Sequence, residues 1–479
     1  MSEPSTGAPR RVAVVGAGPA GVFTADALAK APTGPVSVDL LERLPAPFGL
    51  ARYGVAPDHP RIKRIITALS KLLGRGDIRL LSNVELGADL SLSDLRQLYD
   101  AVVLTTGADR DAPLAVPGVD LPGSHGAADF VAWYGGHPDA ARTWPLDTPS
   151  VAVVGAGNVA LDVARMLVRS PQDLLATDVP DAVHADLAAS AVTDVHVLAR
   201  RGPAQARFSP LELRELGEVS GVDVVVDPAD LVLDPASRAA ADASTPTRQV
   251  LQALEHYAAA APTGAARRLH LHFWRRPVRV IGPDAVTGVE LERTEPGPDG
   301  SAVGTGELSV LAVQAVYRAV GYRGSPVPGA PFDEAAAVVP NHGGRVVGPD
   351  GEVVPGLYAS GWIKRGPVGL IGHTRSDAAE TVAALVADLP GLPRAPHPEP
   401  EAVTDLLARR GVRCVDWTGW MLLDAFEREL GAAAGRERIK VADREGMLAA
   451  ALRAAARAEE AAEASEEEHR VRQDGLDSA

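Results

Sequence analysis

At 479 residues with 46% hydrophobic content and 23% charged residues, the chain can bury two or three cores and reads as folded rather than disordered. A formal net charge of -15, part of it from the six glutamates between residues 459 and 468, argues against a general nucleic-acid binder. Cys414 is the single cysteine, which excludes an internal disulfide framework, a redox CxxC pair and a cysteine-ligated iron-sulfur cluster, and no metal site is expected.

Residues 1–9 are expected to be a short disordered start. Arg10 and Arg11 precede an apolar stretch from Val12 to Ala25, but three glycines and Pro19 interrupt it, and Asp26 and Lys30 follow too soon for a membrane span of about 20 residues. A soluble, cytoplasmic protein is therefore expected. Residues 11–30 read as a strand, a glycine turn and a helix, and 36–42 as a second strand ending in Glu42. YDAVVLTTG, from Tyr99 to Gly107, is another buried strand. From Ser150 the pattern restarts with the strand VAVVGAG, a helix over Asn158 to Arg169 and the strand VHVLARR at 195–201. Short apolar runs between about 269 and 320, separated by Pro and Gly, suit antiparallel strands that complete this second unit. GLYASGW at 356–362 is a last strand and Ser376 to Val386 a following helix. That strand matches an ending of the first unit, so the second unit is placed as an insertion within the first. Residues 446–470 are rich in Ala, Glu and Arg and are expected to form one exposed helix.

Gly16-Ala17-Gly18-Pro19-Ala20-Gly21 follows the four-residue apolar run Val12–Val15 and opens a helix, as a dinucleotide fingerprint requires. The first glycine permits the turn, the second lets backbone approach a pyrophosphate, and the third packs helix on strand. Glu42 stands at the next strand end, where a carboxylate accepts hydrogen bonds from a ribose. Gly155-Ala156-Gly157-Asn158-Val159-Ala160 carries Ala in the third glycine position, a permitted variant, and its following strand ends in Arg200-Arg201 with no acid. Two guanidiniums clamp a 2′-phosphate that a carboxylate repels, so this unit is expected to prefer NADPH. The Gly- and Pro-rich stretches 47–60 and 361–372 suit backbone lying close to a planar cofactor, although by themselves they read equally well as loops.

PFGLARYGVAPDHP, GAGNVALDVAR, LARRGPAQARF and GWIKRGPVGLIG together resemble the adrenodoxin reductase family of NADPH:ferredoxin reductases, over about residues 10–445 and in the same order. The resemblance implies an α/β fold of two Rossmann-like dinucleotide-binding domains of the glutathione-reductase type. FAD would lie in a discontinuous domain, 10–108 and 326–445, and NADP in the domain inserted at 109–325, with 446–479 as a tail. By the same resemblance Gly16, Gly18, Ala20, Gly21, Glu42 and Leu50 hold FAD, and Trp362, Gly369, Leu370 and Ile371 run along the flavin. Gly155, Gly157, Asn158, Val159, Arg200, Arg201, Glu212 and Gly369 contact NADP, and His59 and Glu215 match an active-site pair. Without the resemblance, a His between Asp58 and Pro60 reads as a turn residue and Glu215 as an ordinary helix former. The chain departs from the family at Gly372-His373-Thr374, where Gly-Thr-Asn is usual, which bears on hydrogen bonding beside the flavin.

The implied activity passes a hydride from NADPH to FAD and single electrons onward to an iron-sulfur ferredoxin, which in this family often serves cytochromes P450. A monomer is expected. Hydride transfer needs proximity and no obligatory protein acid, so His59 and Glu215 are given tuning and positioning roles. A disulfide reductase needs a cysteine pair and is excluded. A flavin monooxygenase or oxidase, and a non-enzymatic NADPH-sensing flavoprotein, stay open as alternatives. Arg267-Arg268 and Arg275-Arg276 are candidates for a basic ferredoxin-docking face.

Overall fold

The computed structural model describes residues 9–32, 35–297, 301–369 and 371–453. The chain divides into two compact units: one comprises the residues up to Arg52, Arg61–Ala108 and those from Gly324 onward, and the other Tyr53–Pro60 and Asp109–Arg323. The second unit is thus inserted in the first, with one addition. Tyr53–Pro60, expected in the FAD part, belongs to the second unit, because Ala56 lies in that unit's core and Asp58 pairs with its Arg165 and Arg169.

The first unit is built on a seven-stranded sheet in the order Asn341–His342, Arg345–Val347, Val353–Ala359, Ala101–Leu104, Arg10–Val15, Val36–Glu42, Ile78–Ser82. The five strands from Val353–Ala359 to Ile78–Ser82 are parallel. Their near-continuous Val and Leu runs reflect burial on both faces. Val12 and Val14 pack into one layer with Val22, Leu28 and Trp420, while Ala13 and Val15 pack into the other with Leu95 and Leu407. The last strand ends at Ala359, and Trp362 begins a one-turn helix rather than continuing it. The helix expected over 376–386 spans Ile371–Asp388.

The stretch from 446 onward, expected as a solvated helix, begins inside the core. A helix already runs from 444 to 453, where the description stops, and Met447, Leu448, Ala450 and Ala451 are buried in the first unit's core. Its apolar positions at 447, 448 and 451 recur at helical spacing, which marks a packed stripe. The remainder of 446–470 lies outside the described residues.

The second unit has a six-stranded parallel sheet in the order Ser124–Gly126, Ala315–Arg318, Ser150–Val154, Asp194–Leu198, Arg267–His272, Val222–Val226. Val151, Val153, Val195, Val197, Leu269 and Leu271 face a helical layer, and Ala152, Val154 and Leu198 face an antiparallel three-stranded sheet of Arg275–Ile281, Gly288–Pro296 and Ala302–Leu311. The strands at 267–272 and 315–318, expected to be antiparallel, are parallel members of the main sheet. The crossover helix Thr245–Ala259, between two adjacent parallel strands, supplies the connection that parallel pairing needs. Among the described residues no helix is long and apolar enough to cross a membrane.

Candidate functional site

In the first unit the glycine turn joins the strand Arg10–Val15 to the helix Pro19–Ala29. Gly16 has φ +108°, and a Cβ there would lie 2.6 Å from the Thr105 carbonyl oxygen, so only glycine fits both the turn and the neighbouring strand end. Gly21 packs directly beneath the Gly16 carbonyl, while the space beside Gly18 is open. The helix begins without a side-chain cap. Buried Glu42 ties the turn: its Oε2 accepts from Ala17 N at 2.9 Å and its Oε1 from Leu44 N at 3.1 Å. Burial raises its pKa, and these backbone donors oppose the rise.

Two other segments close on this turn. Phe48 N donates to the Ala17 carbonyl at 2.8 Å, which lays Leu50 and the helix Gly49–Tyr53 along it. A Cβ on Gly361 (φ +77°) would come within 2.5 Å of Ala20 Cβ, so the Gly361–Trp362 corner also abuts the turn. Asp377 accepts from Gly361 N and pairs with Lys364 at 3.1 Å. Phe48, Lys364 and Asp377 were not legible in the sequence, where the first looks like core and the others like helix-surface charges. Gly369 has φ +86°, and a Cβ there would meet His373 Nδ1 at 3.2 Å; the departing residue His373 therefore leans on Gly369. Leu370 and the side chain of Ile371 lie outside the described residues.

In the second unit Gly155 (φ +153°) turns against the Ala319 carbonyl, and Gly157 again faces open space at an uncapped helix start, here Asn158–Val168. Asn158 Oδ1 accepts from Ser209 N at 2.8 Å, Ser209 caps the helix Pro210–Glu215, and Val159 packs partly buried against the core. Arg207 N donates to the Ala156 carbonyl at 2.8 Å. That contact runs residues 207–209 along the glycine turn. It also brings Arg207, absent from the sequence expectation, near Arg200 and Arg201. Burial and the positive charges of Arg207 and Arg200 lower the Arg201 pKa, so like charges are crowded here. A cavity of about 470 Å³ beside Arg201 is lined also by Gln205, Ser237 and Trp274. Trp274 holds a rare positive φ of 56° with its indole against Gly202.

The segment 53–60 delivers His59 into a charged cluster of the same unit. His59 Nε2 lies 2.9 Å from both Asp162 Oδ1 and Glu212 Oε2, and Nδ1 lies 3.4 Å from Glu215 Oε2. Arg165, almost fully buried, binds Asp58 at 2.6 Å and Asp162 at 2.7 Å and touches His59. Burial opposes a charge on His59, but hydrogen bonds to Asp162 and Glu212 outweigh it and raise its pKa to about 9. The Arg165 contact, like burial, favours neutral imidazole. We assign the cation, because Asp58, Asp162, Glu212 and Glu215 are four carboxylates against the two guanidiniums of Arg165 and Arg169. Asp58 is held well below the usual carboxylate range: burial opposes, and Arg165 overcomes it. Burial raises Glu215, partly offset by His59. Asp58, Asp162 and Arg165 were missed because charged residues on helices and turns read as surface.

The four arginines proposed for docking are largely neutralised at home. Arg268 pairs with Asp194 at 2.6 Å, Arg276 with Glu292 and Arg275 with Asp230 at 3.5 Å, while Arg267 donates to the Val168 and Arg169 carbonyls.

Residues 10–227 match the family model described as pyridine nucleotide-disulphide oxidoreductase. The disulphide chemistry in that description finds no counterpart here, since Cys414 stands alone and burial pushes its thiol up to about 12. The chain is 41% identical to NADPH-ferredoxin reductase FprA of Mycobacterium tuberculosis over 91% of this chain and 97% of that one. It is also 41% identical to the mitochondrial NADPH:adrenodoxin oxidoreductase of Arabidopsis thaliana over 92% and 95%. The solved structure of M. tuberculosis FprA in complex with NADPH matches with a TM-score of 0.87 at 40% identity, covering 93% of this chain and all of that one. With two fingerprint turns built as described and this likeness along nine-tenths of its length, the chain belongs to the family of NADPH-ferredoxin and NADPH:adrenodoxin reductases.

Proposed function

We propose that the chain is an FAD-dependent NADPH:ferredoxin oxidoreductase. The observation that carries this reading is the opposite electrostatics of its two glycine turns: buried Glu42 at the first, and Arg200, Arg201 and Arg207 at the second. A carboxylate at the strand end suits a ribose and an arginine group suits a 2′-phosphate, so one chain offers one site for each kind of dinucleotide. The first site fits FAD: open space beside Gly18 and the uncapped start of Pro19–Ala29 leave backbone donors for a pyrophosphate. Glu42 retains lone pairs for ribose hydroxyls after its two backbone contacts. When bound, FAD supplies the change from a two-electron hydride donor to a one-electron acceptor. Gly16, Gly18, Ala20, Gly21 and Leu50 would hold it, with Trp362, Gly369, Leu370 and Ile371 alongside.

Gly155, Gly157, Asn158 and Val159 would position NADPH, and Arg200, Arg201 and Arg207 would select it, with Glu212 and Gly369 as further contacts. His59 and Glu215 act as positioning groups, since the hydride itself needs no protein acid. The relatives' names support an iron-sulfur ferredoxin as acceptor. In the same reading the protein is a cytoplasmic monomer, and its ferredoxin supplies cytochromes P450. Anaerobic mixing with NADPH should bleach the flavin absorbance, and ferredoxin added next should restore it faster than oxygen does. Faster reoxidation by oxygen would identify a monooxygenase or oxidase, and reoxidation by neither would identify a sensor.

A further inference from the structure

Parallel register pairs His270 directly with His196 on the neighbouring strand, so both side chains leave the same face of the second unit's sheet, and His272 follows two residues on. The three rings stack: His196 lies 4.4 Å from His270 at 14° and 5.3 Å from His272 at 22°. His196 Nδ1 and His272 Nε2 are 3.0 Å apart, and one nitrogen from each ring lies within 4.8 Å of the others. All three residues are half-buried, where apolar side chains would otherwise continue the layer formed by Ala152, Val154 and Leu198.

We propose that His196, His270 and His272 form a site for Zn2+ or another divalent transition metal that ties the strand Asp194–Leu198 to the strand Arg267–His272. Metal–nitrogen bonds of about 2.0–2.1 Å place tetrahedral ligand nitrogens about 3.3 Å apart. The His196–His272 pair needs to open by only a few tenths of an ångström to reach that spacing, and the His270 nitrogen, within 4.8 Å of both, has to close on them. One of the three imidazoles already has an outer contact suited to a metal ligand. His270 Nε2 donates to Asp194 Oδ1 at 3.0 Å, which leaves the lone pair on Nδ1, and Asp194 is itself held by Arg268 at 2.6 and 2.7 Å and by Thr193 Oγ1 at 2.9 Å. A carboxylate that fixes the tautomer of a ligating imidazole is the usual support of such sites.

All-imidazole donors suit Zn2+, Cu2+ or Ni2+ rather than Mg2+ or Ca2+. A second group with ligand-like spacing among the described residues, His59 with Asp162 and Glu212, already holds a cation, the guanidinium of Arg165. Among the described residues no guanidinium is bonded to the three imidazoles, although Arg268 and Arg275 lie near enough to act on them electrostatically. The sequence pattern hid the trio because its members sit on two strands distant in the chain.

The test is Co2+ titration of tag-free, FAD-loaded protein after chelator treatment, read at wavelengths beyond the flavin absorption, followed by displacement with Zn2+. One equivalent of Co2+ should give tetrahedral d–d bands that Zn2+ abolishes, and Zn2+ should raise the thermal midpoint. His196→Ala and His272→Ala should lose the bands while keeping the flavin spectrum, and Asp194→Asn should weaken affinity about 10- to 100-fold. Wild-type protein without a one-equivalent band overturns the proposal whatever the variants do, and so does a band that survives in folded His196→Ala. If the alanine variants fail to fold, His270→Gln and the wild-type thermal shift decide it on the same criteria.

Discussion

Arg200, Arg201 and Arg207 gather at one strand end, and none is bonded to a carboxylate among the described residues. Each charge-assisted bond to a phosphate contributes roughly 1.5–3 kcal/mol, so in the proposed reading two arginines should give a preference for NADPH over NADH of about a hundredfold or more after ordering costs. The 2′-phosphate is remote from the hydride and is bound alike in ground and transition states, so the loss belongs in KM. Arg200→Ala with Arg201→Ala should raise KM for NADPH steeply and leave NADH kinetics nearly unaltered; an unchanged ratio removes them from the site. Arg207→Ala should move the ratio in the same direction. His59 yields a pH prediction. Its pKa rises from 6.5 to about 9 on folding, so its contribution is complete below pH 6.5 and is lost as pH rises through about 9. The shift corresponds to about 3 kcal/mol. Urea midpoints of the wild type should therefore fall between pH 6.5 and 9 beyond any fall seen in His59→Gln. Parallel pH profiles for the two proteins would mean that folding does not raise the His59 pKa.

Among the elements, the helix from 444 to 453 shows how a composition-based reading misleads. Ala, Glu and Arg dominate the stretch that follows, yet Met447 is fully buried and packs with Leu448 among Val22, Leu28 and Leu423. The same layer holds the buried ion pairs of Glu427 with Arg52 and Arg438, so the C-terminal segments close over the first unit's sheet. Met447→Ala should cost about 2–5 kcal/mol, as for other fully buried large-to-small changes, read from urea unfolding followed by far-UV circular dichroism. A loss below about 0.5 kcal/mol, typical of surface positions, would return the helix to the solvated tail.

At the scale of the whole molecule, the chain passes between its two units four times, because Tyr53–Pro60 is borrowed by the second unit from within the first. That short segment carries Asp58 and His59 to Arg165, whose side chain is only 1% exposed. Breaking a buried pair by removing one partner costs about 3–5 kcal/mol. A fragment of residues 109–323 should therefore unfold at lower denaturant than the same unit in the full chain, and Arg165→Met in the fragment should recover part of the loss. Equal midpoints would show that the segment is dispensable.

What the sequence determined by itself was the local part: two glycine turns after apolar strands, the acid at one strand end and the arginine pair at the other, and the insertion of one unit in the other. Those features are legible because a turn with positive φ, a doubly buried strand and a charge at a fixed offset are each dictated by neighbouring residues. Only the tertiary structure decided which unit owns residues 53–60, that residues 444–453 are core, and that Arg207, Arg165 and Asp162 join residues already suspected. It also decided that three histidines on two strands stack, and that four arginines read as a docking face are mostly paired. Each of these depends on which strand lies beside which. A charge or an imidazole carries no local signal of the partner that crossover connections bring to it.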